Sequence, residues 1–195
     1  VQFTRPIVTL MEVFMKQKKT LENGLVTHII KDDKFQEVFM SLKIMFPLEE
    51  KLNTTANLLS RMMGDRLETS PSKKEMSYRL DMMYGAKSSS SSYSIGSYQV
   101  IDVSMLAIAD SFVNDDLMSQ QLMFMKDTLL HPLLNEQTLQ EAKNNLKMTF
   151  VHIQDNPSQY AMTQGFKHAG EGQVFGLTSM GNAEDIDAIT LDDIY

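Results

Sequence analysis

The sequence predicts an α+β fold, with a mixed, largely antiparallel sheet and helices packed on one face. Three observations point there. Two strand-rich stretches carry short-loop hairpin signals, one at Asp32-Asp33-Lys34 and one at Gly96-Ser97. Apolar residues recur at helical spacing between those stretches and after the second. Strands and helices come in blocks, the order expected when helices cover one side of an antiparallel sheet.

The elements follow in chain order. Residues 8–15 are expected to form a strand. Residues 24–31 (GLVTHIIK) follow the Asn23-Gly24 turn, and Leu25, Thr27 and Ile29 alternate with Val26, His28 and Ile30. Residues 35–46 are a second strand, with Val38, Met40, Leu42, Ile44 and Phe46 on one face. The polar Asp32-Asp33-Lys34 step between them predicts that these two strands pair as a hairpin. Pro47 ends the second strand. A helix over 49–63 places Leu52, Ala56, Leu59 and Met63 on one stripe, widened by Leu58 and Met62, and Gly64 stops it. Ser72 and Glu75 have capping-box spacing for a second helix, whose apolar side is Met76, Leu80 and Met83.

The run Ser88–Ser92 reads as strand rather than linker. It leads directly into Tyr93 and Ile95, and Ile101, Val103, Met105 and Ala107 then alternate with polar residues. Residues 115–130 form a helix with Met118, Leu122, Met125 and Leu129 on its stripe, stopped by His131-Pro132. Asn135 caps a helix to about residue 154, with Leu139, Ala142, Leu146, Phe150 and Ile153 inside. Asn156-Pro157 starts another, through about His168. Residues 170–181 form a glycine-spaced loop, and Thr190 caps a final helical segment.

Composition narrows the function. The 195 residues are 43% hydrophobic, enough for a core, and carry a net charge of -7. An acidic chain whose basic cluster is Lys16, Lys18 and Lys19 is poorly suited to phosphate backbones, so no nucleic-acid partner is expected. That lysine segment is expected to be solvated. With no cysteine, thiolate zinc sites and disulfides are excluded and a reducing compartment is expected. The chain lacks an apolar run of the ~18 residues a span needs, and no signal-peptide pattern opens it. The reading is cytoplasmic with no membrane span. The sixteen methionines sit mostly at apolar periodic positions and read as core.

Other chemistries find little support. His28, His131, His152 and His168 are scattered over separate elements and are expected to be surface or capping residues. No Gly-x-Ser-x-Gly elbow is present. The acidic end (Glu184, Asp185, Asp187, Asp192, Asp193) lacks a calcium-loop pattern and is better read as charge complementing helix N-termini.

Several strings, in order and spacing, resemble one family: NGLVTHIIKDDKFQEVFMSLKIMFPLEE, RLDMMYGAKSSSSSYSIG, LLHPLL, the Asp155-Asn156-Pro157 step and GNAEDIDAITLDDIY. Together they are similar to the pitrilysin/insulinase zinc metallopeptidases, which include the mitochondrial processing peptidases. The resemblance spans nearly the whole chain and is closest to non-catalytic bacterial members that pair with an active sister. It implies a processing-peptidase-like half-module. Residues 1–195 are then expected to be a single N-terminal insulinase-like domain of a longer chain.

Active members carry His-x-x-Glu-His on the first helix and a further Glu on a later one. Two histidines one turn apart bind zinc, and the Glu between them activates the metal-bound water. Here the resemblance places the motif positions on Asn57, Ser60 and Arg61, with the later Glu at Thr149. A neutral amide is a poor zinc ligand, a lone serine is no general base near neutral pH, and arginine has no free lone pair and repels a cation. Thr149 supplies no carboxylate. These degenerate positions imply no catalytic, cofactor-binding or metal residue, and no bound cofactor where active relatives hold zinc. The function implied is a non-catalytic homologue that binds a peptide substrate, or pairs with a sister zinc peptidase of the same family or with a second copy of itself. The alternatives are an active metallopeptidase or hydrolase with a displaced or non-standard site, and a purely structural domain.

Overall fold

The computed structural model describes residues 15–32, 34–113 and 115–195. The chain divides into two compact units, one ending at Glu37 and one running Val38–Tyr195.

In the first unit, β1 (Met15–Thr20) and β2 (Val26–Lys31) form an antiparallel hairpin, in register from Met15 opposite Lys31 to Thr20 opposite Val26. The Asn-Gly signal is its turn. Gly24 takes φ +85° and donates to the Leu21 carbonyl (2.9 Å), while the Asn23 side chain accepts from the Leu25 N–H (3.1 Å). The lysine segment lies on β1, with Lys18 and Lys19 exposed as a solvated segment should be. One expectation is corrected. The partner of 24–31 is the strand before the Asn-Gly turn rather than 35–46, because a tight turn joins the strands that flank it. The strand expected over 8–15 lies outside the described residues except for Met15.

The second unit carries a three-stranded sheet in the order β3 (Glu37–Pro47), β5 (Tyr98–Ile108), β4 (Lys87–Ile95). β4 and β5 pair antiparallel from Lys87–Leu106 to Ile95–Tyr98, and Gly96 turns at φ +57°. The serine run is strand, as its alternation into Tyr93 predicts.

The two faces of this sheet differ chemically. Ile101, Val103, Met105 and Ala107 of β5 are buried in a cluster with Ala56, Met63, Met76, Met83 and Phe124, and Met40, Leu42 and Phe46 of β3 pack against it. The other face is a hydrogen-bonded polar ladder across all three strands. Asp102 accepts from Ser41 (2.7 Å) and Tyr93 (3.0 Å) and is paired with Lys43. Apolar on one side and polar on the other is what a sheet covered by helices on one face requires.

The helices are α1 (Glu50–Met63), α2 (Lys73–Asp81), α3 (Leu117–Leu130), α4 (Glu136–Gln154), α5 (Pro157–Ala169) and α6 (Leu191–Ile194). Ser72 and Glu75 make the predicted capping box of α2. Asn135 caps α4 and Asn156 caps α5. Two stripes differ from expectation. On α1, Leu52 is 45% exposed, and the buried face is completed instead by Asn53, Thr54, Asn57 and Ser60. On α3, the buried residues are Leu117, Gln121, Phe124, Met125 and Thr128, whereas Leu122 is 54% exposed. Phe124 sets that face because its ring is the largest apolar surface on the helix. Of the polar residues beside it, Thr128 donates to the Phe124 carbonyl (3.0 Å) and Gln121 donates to the Ile108 carbonyl (3.1 Å), while the buried Gln121 Oε1 has no partner among the described residues.

Beyond α1, Arg66 is buried and forked between two carboxylates, Asp65 (2.7 Å) and Glu141 of α4 (2.7 Å), and Lys73 joins both. The Arg66 hydrogen bond first, then Lys73, hold the Glu141 carboxyl down at about 2, against an ordinary 4.5. A pKa depressed in the folded state stabilises fully above the unfolded value, and that contribution fades as pH falls from about 5 toward about 2. Glu141→Gln is therefore expected to cost about 1 kcal/mol at neutral pH, water screening keeping the figure modest. The gap to the native chain should close by about pH 2. Urea melts of both chains across that range check it.

Candidate functional site

α1 lies between two cores. Ala56 and Met63 enter the cluster beneath the sheet, while Leu58 and Met62 enter a second one with Leu139, Ala142, Leu146, Ile186 and Ile194. The face between them is polar, and three of the residues singled out from the sequence fall on it or at its edge. Asn57 and Ser60 are buried, and Arg61 is half-buried one turn beyond Asn57. Thr149 comes from α4, which the second core presses against α1.

These four residues form one connected group. Arg61 donates from Nε to Asn57 Oδ1 (3.0 Å) and from Nη2 to Thr149 Oγ1 (3.2 Å). Thr149 donates its own proton to the Asn145 carbonyl (3.0 Å), and Ser60 donates to the Asn57 carbonyl (2.9 Å). The guanidinium thus spans from one helix to the other. Among the described residues, no carboxylate lies within ion-pair distance of it. Burial pushes its pKa below the ordinary value, but an arginine remains protonated across the physiological range.

A loop closes over the N-terminal part of the same face. The Thr178 carbonyl accepts from Asn53 Nδ2 (2.8 Å). The Ser179 carbonyl accepts from Asn57 Nδ2 (3.3 Å) and from the buried Gln99 of β5 (3.0 Å). The Asn182 N–H donates to Thr54 Oγ1 (3.1 Å). Gly181 makes the crossing at φ +77°, so close to α1 that a Cβ there would stand 2.6 Å from both Thr54 N and Thr54 Cα. The sequence reading stops at a glycine-spaced loop and misses this docking. The available signal was the set of amide and hydroxyl residues, Asn53, Thr54 and Asn57, on the inward side of an otherwise apolar helix.

The histidines do not converge. His28 is on β2, His131 ends α3 and lies 3.4 Å from Glu68, His152 is on α4 and His168 on α5. Among the described residues, no three His, Cys, Asp or Glu side chains gather closely enough to hold a metal ion. Of the acidic end, Asp187 pairs with Lys147 (2.6 Å), and Asp193 caps the helix it opens through Thr190 (2.8 Å). Among the described residues, no helix is long and apolar enough to cross a membrane.

The chemistry of the central group is that of a fixed cation held by neutral acceptors. An amide, two hydroxyls and a guanidinium do not fit a zinc ion, whose ligands are imidazole, thiolate or carboxylate. Nor do they offer a general base for water. The group can hold an anion or a hydrogen-bond acceptor.

No protein-family profile matches the sequence. The chain is similar to a Bacillus subtilis (strain 168) protein named as the probable inactive metalloprotease YmfF, 22% identical over 189 residues. That match covers 93% of this chain but 44% of the relative, so the chain spans less than half the length of the curated protein it matches. A crystal structure of a conserved protein from Enterococcus faecalis V583 superposes with a TM-score of 0.83 at 22% identity, covering 92% of this chain and 44% of the other. The peptidase M16 inactive domain from Pseudomonas fluorescens superposes at 0.72 with 16% identity, covering 92% and 42%.

The fold is that of an α+β domain of the pitrilysin-type (M16) metallopeptidases. More particularly, the chain resembles the non-catalytic homologues of those peptidases, as the Bacillus and Pseudomonas proteins are named.

Proposed function

We propose that this chain is a non-catalytic metallopeptidase homologue that binds a peptide or pairs with an active sister zinc peptidase in peptide or protein processing. The observation that supports this reading is the position of Arg61, bonded to both Asn57 and Thr149. By the family resemblance these are positions of the zinc set, and a permanent cation stands among them. Pairing leaves hydrolysis to the partner's intact site and gives this chain the task of holding substrate or completing the assembly. In this reading residues 1–195 are the N-terminal domain of a longer cytoplasmic protein, in keeping with the 44% of the Bacillus relative that they cover.

The test is co-expression with a zinc peptidase of the same fold that carries an intact His-x-x-Glu-His motif. The two chains are expected to co-elute in gel filtration. Peptide hydrolysis by the mixture should disappear when the partner's motif Glu is replaced, and should be unchanged by Ser60→Ala here. Hydrolysis by this chain alone, surviving removal of the partner, would instead identify a displaced active site.

A further inference from the structure

The Arg61 guanidinium is only partly used. It has five N–H donors, of which Nε–H and one Nη2–H are committed to Asn57 and Thr149. The remaining three, including both on Nη1, have no partner among the described residues. The two acceptors are neutral, so the charge is uncompensated locally although the chain as a whole carries -7. A half-buried cation without a counter-charge is unusual, since desolvation without pairing costs free energy. Its place in the last turn of α1, near the helix's negative end, accounts for a positive residue there. It does not account for the idle donor edge.

That edge is also pre-oriented. Asn57 is fixed by donating to the Ser179 carbonyl and accepting from Arg61, and Thr149 is fixed by donating to the Asn145 carbonyl. The guanidinium plane is thus clamped along its Nε–Nη2 side, leaving the end-on pair, one Nη1–H and the second Nη2–H, for a ligand. A planar fork held from behind matches a carboxylate, which accepts two parallel N–H bonds.

We infer that Arg61, clamped by Asn57 and Thr149, is a subsite for a peptide carboxylate, either a chain terminus or an acidic side chain. The inference rests on the peptide-binding part of the proposed function and names what that peptide presents. It does not depend on pairing, which gel filtration tests separately.

The experiment is an NMR titration of the protein, following the Arg61 Nε–H resonance in the native chain and the backbone amide resonances of α1 around residue 61 in native and variant chains alike. The probes are N-acetyl-trialanine with a free carboxylate, its C-terminal amide, and an N-acetyl Ala-Glu-Ala amide. The first is expected to shift the resonance and saturate if the subsite reads a terminus, and the third if it reads a side chain. The plain amide is expected to shift nothing. Arg61→Lys should weaken binding about tenfold, because an ammonium cannot make the paired bonds. Arg61→Met, which keeps the apolar stem, should abolish it. No shift with either carboxylate probe overturns the inference, as does equal binding by Arg61→Met. If Arg61→Met fails to fold, the native titration and Arg61→Lys decide.

Discussion

Gly181→Ala is expected to destabilise the protein by about 3 kcal/mol or more, or to detach the 178–182 loop from α1. The residue has φ +77°, where an L side chain is strained, and the added Cβ would stand 2.6 Å from the Thr54 backbone. Thr54 is in the interior of α1 and cannot yield without unwinding the helix. The loop must therefore lift. Lifting removes the Thr178 and Ser179 carbonyls from Asn53, Asn57 and Gln99, all buried, and each abandoned donor costs about 1–3 kcal/mol unless water reaches it. Gly165→Ala is the matched control. It sits within α5 with nothing within 4 Å of an added Cβ, so it should be neutral or stabilise by up to about 1 kcal/mol. Denaturant melts of the two variants should move in opposite directions or differ by several kcal/mol.

The combination of Asn57→His, Arg61→His and Thr149→Glu is expected to create zinc binding of micromolar affinity or tighter, about 8 kcal/mol of binding free energy. Arg61 already reaches both Asn57 and Thr149, at 3.0 and 3.2 Å, so all three positions face one volume. Two histidines one turn apart with a Glu from a neighbouring helix are a usual zinc set. Removing the guanidinium also removes the charge that repels the ion. Ser60 is left in place, so the variant should bind metal without hydrolysing peptides, lacking a base for the metal-bound water. Zinc at about a hundred times its dissociation constant should then stabilise the variant by about 2.7 kcal/mol and leave the native chain's melting unchanged. A variant that folds but takes up no zinc would mean these positions do not converge as described.

Much of this arrangement is legible in the residues themselves. The β4–β5 hairpin shows through the serine run because alternation resumes at Tyr93, and serine suits a strand that α1 approaches closely. A Cβ added at Gly64, the α1 C-cap, would stand 3.3 Å from Ser90 Cβ and N, so the helix end and the strand pass close together. The capping box at Ser72 and the Asn135 and Asn156 caps are local chemistry and can be read without the fold. What escapes the sequence is long-range. The α3 face is misread because hydrophobicity favours Leu122 over Gln121, whereas a buried glutamine is acceptable once the Ile108 carbonyl receives its N–H. The first hairpin is misassigned because the polar Asp32-Asp33-Lys34 step reads locally as a hairpin loop, whereas the strand that pairs with β2 precedes the Asn23-Gly24 turn. For the site, spacing alone puts Asn57, Ser60 and Arg61 on one helix. Nothing local reveals that Thr149 and the Ser179 carbonyl meet them there.

We propose that a cation, Arg61, stands where zinc-binding relatives would hold their metal, and metal analysis of the protein after dialysis against zinc is the decisive measurement. The account predicts no stoichiometric zinc in the native chain and about one per chain in the Asn57→His, Arg61→His, Thr149→Glu variant. One tightly held zinc per native chain would contradict it.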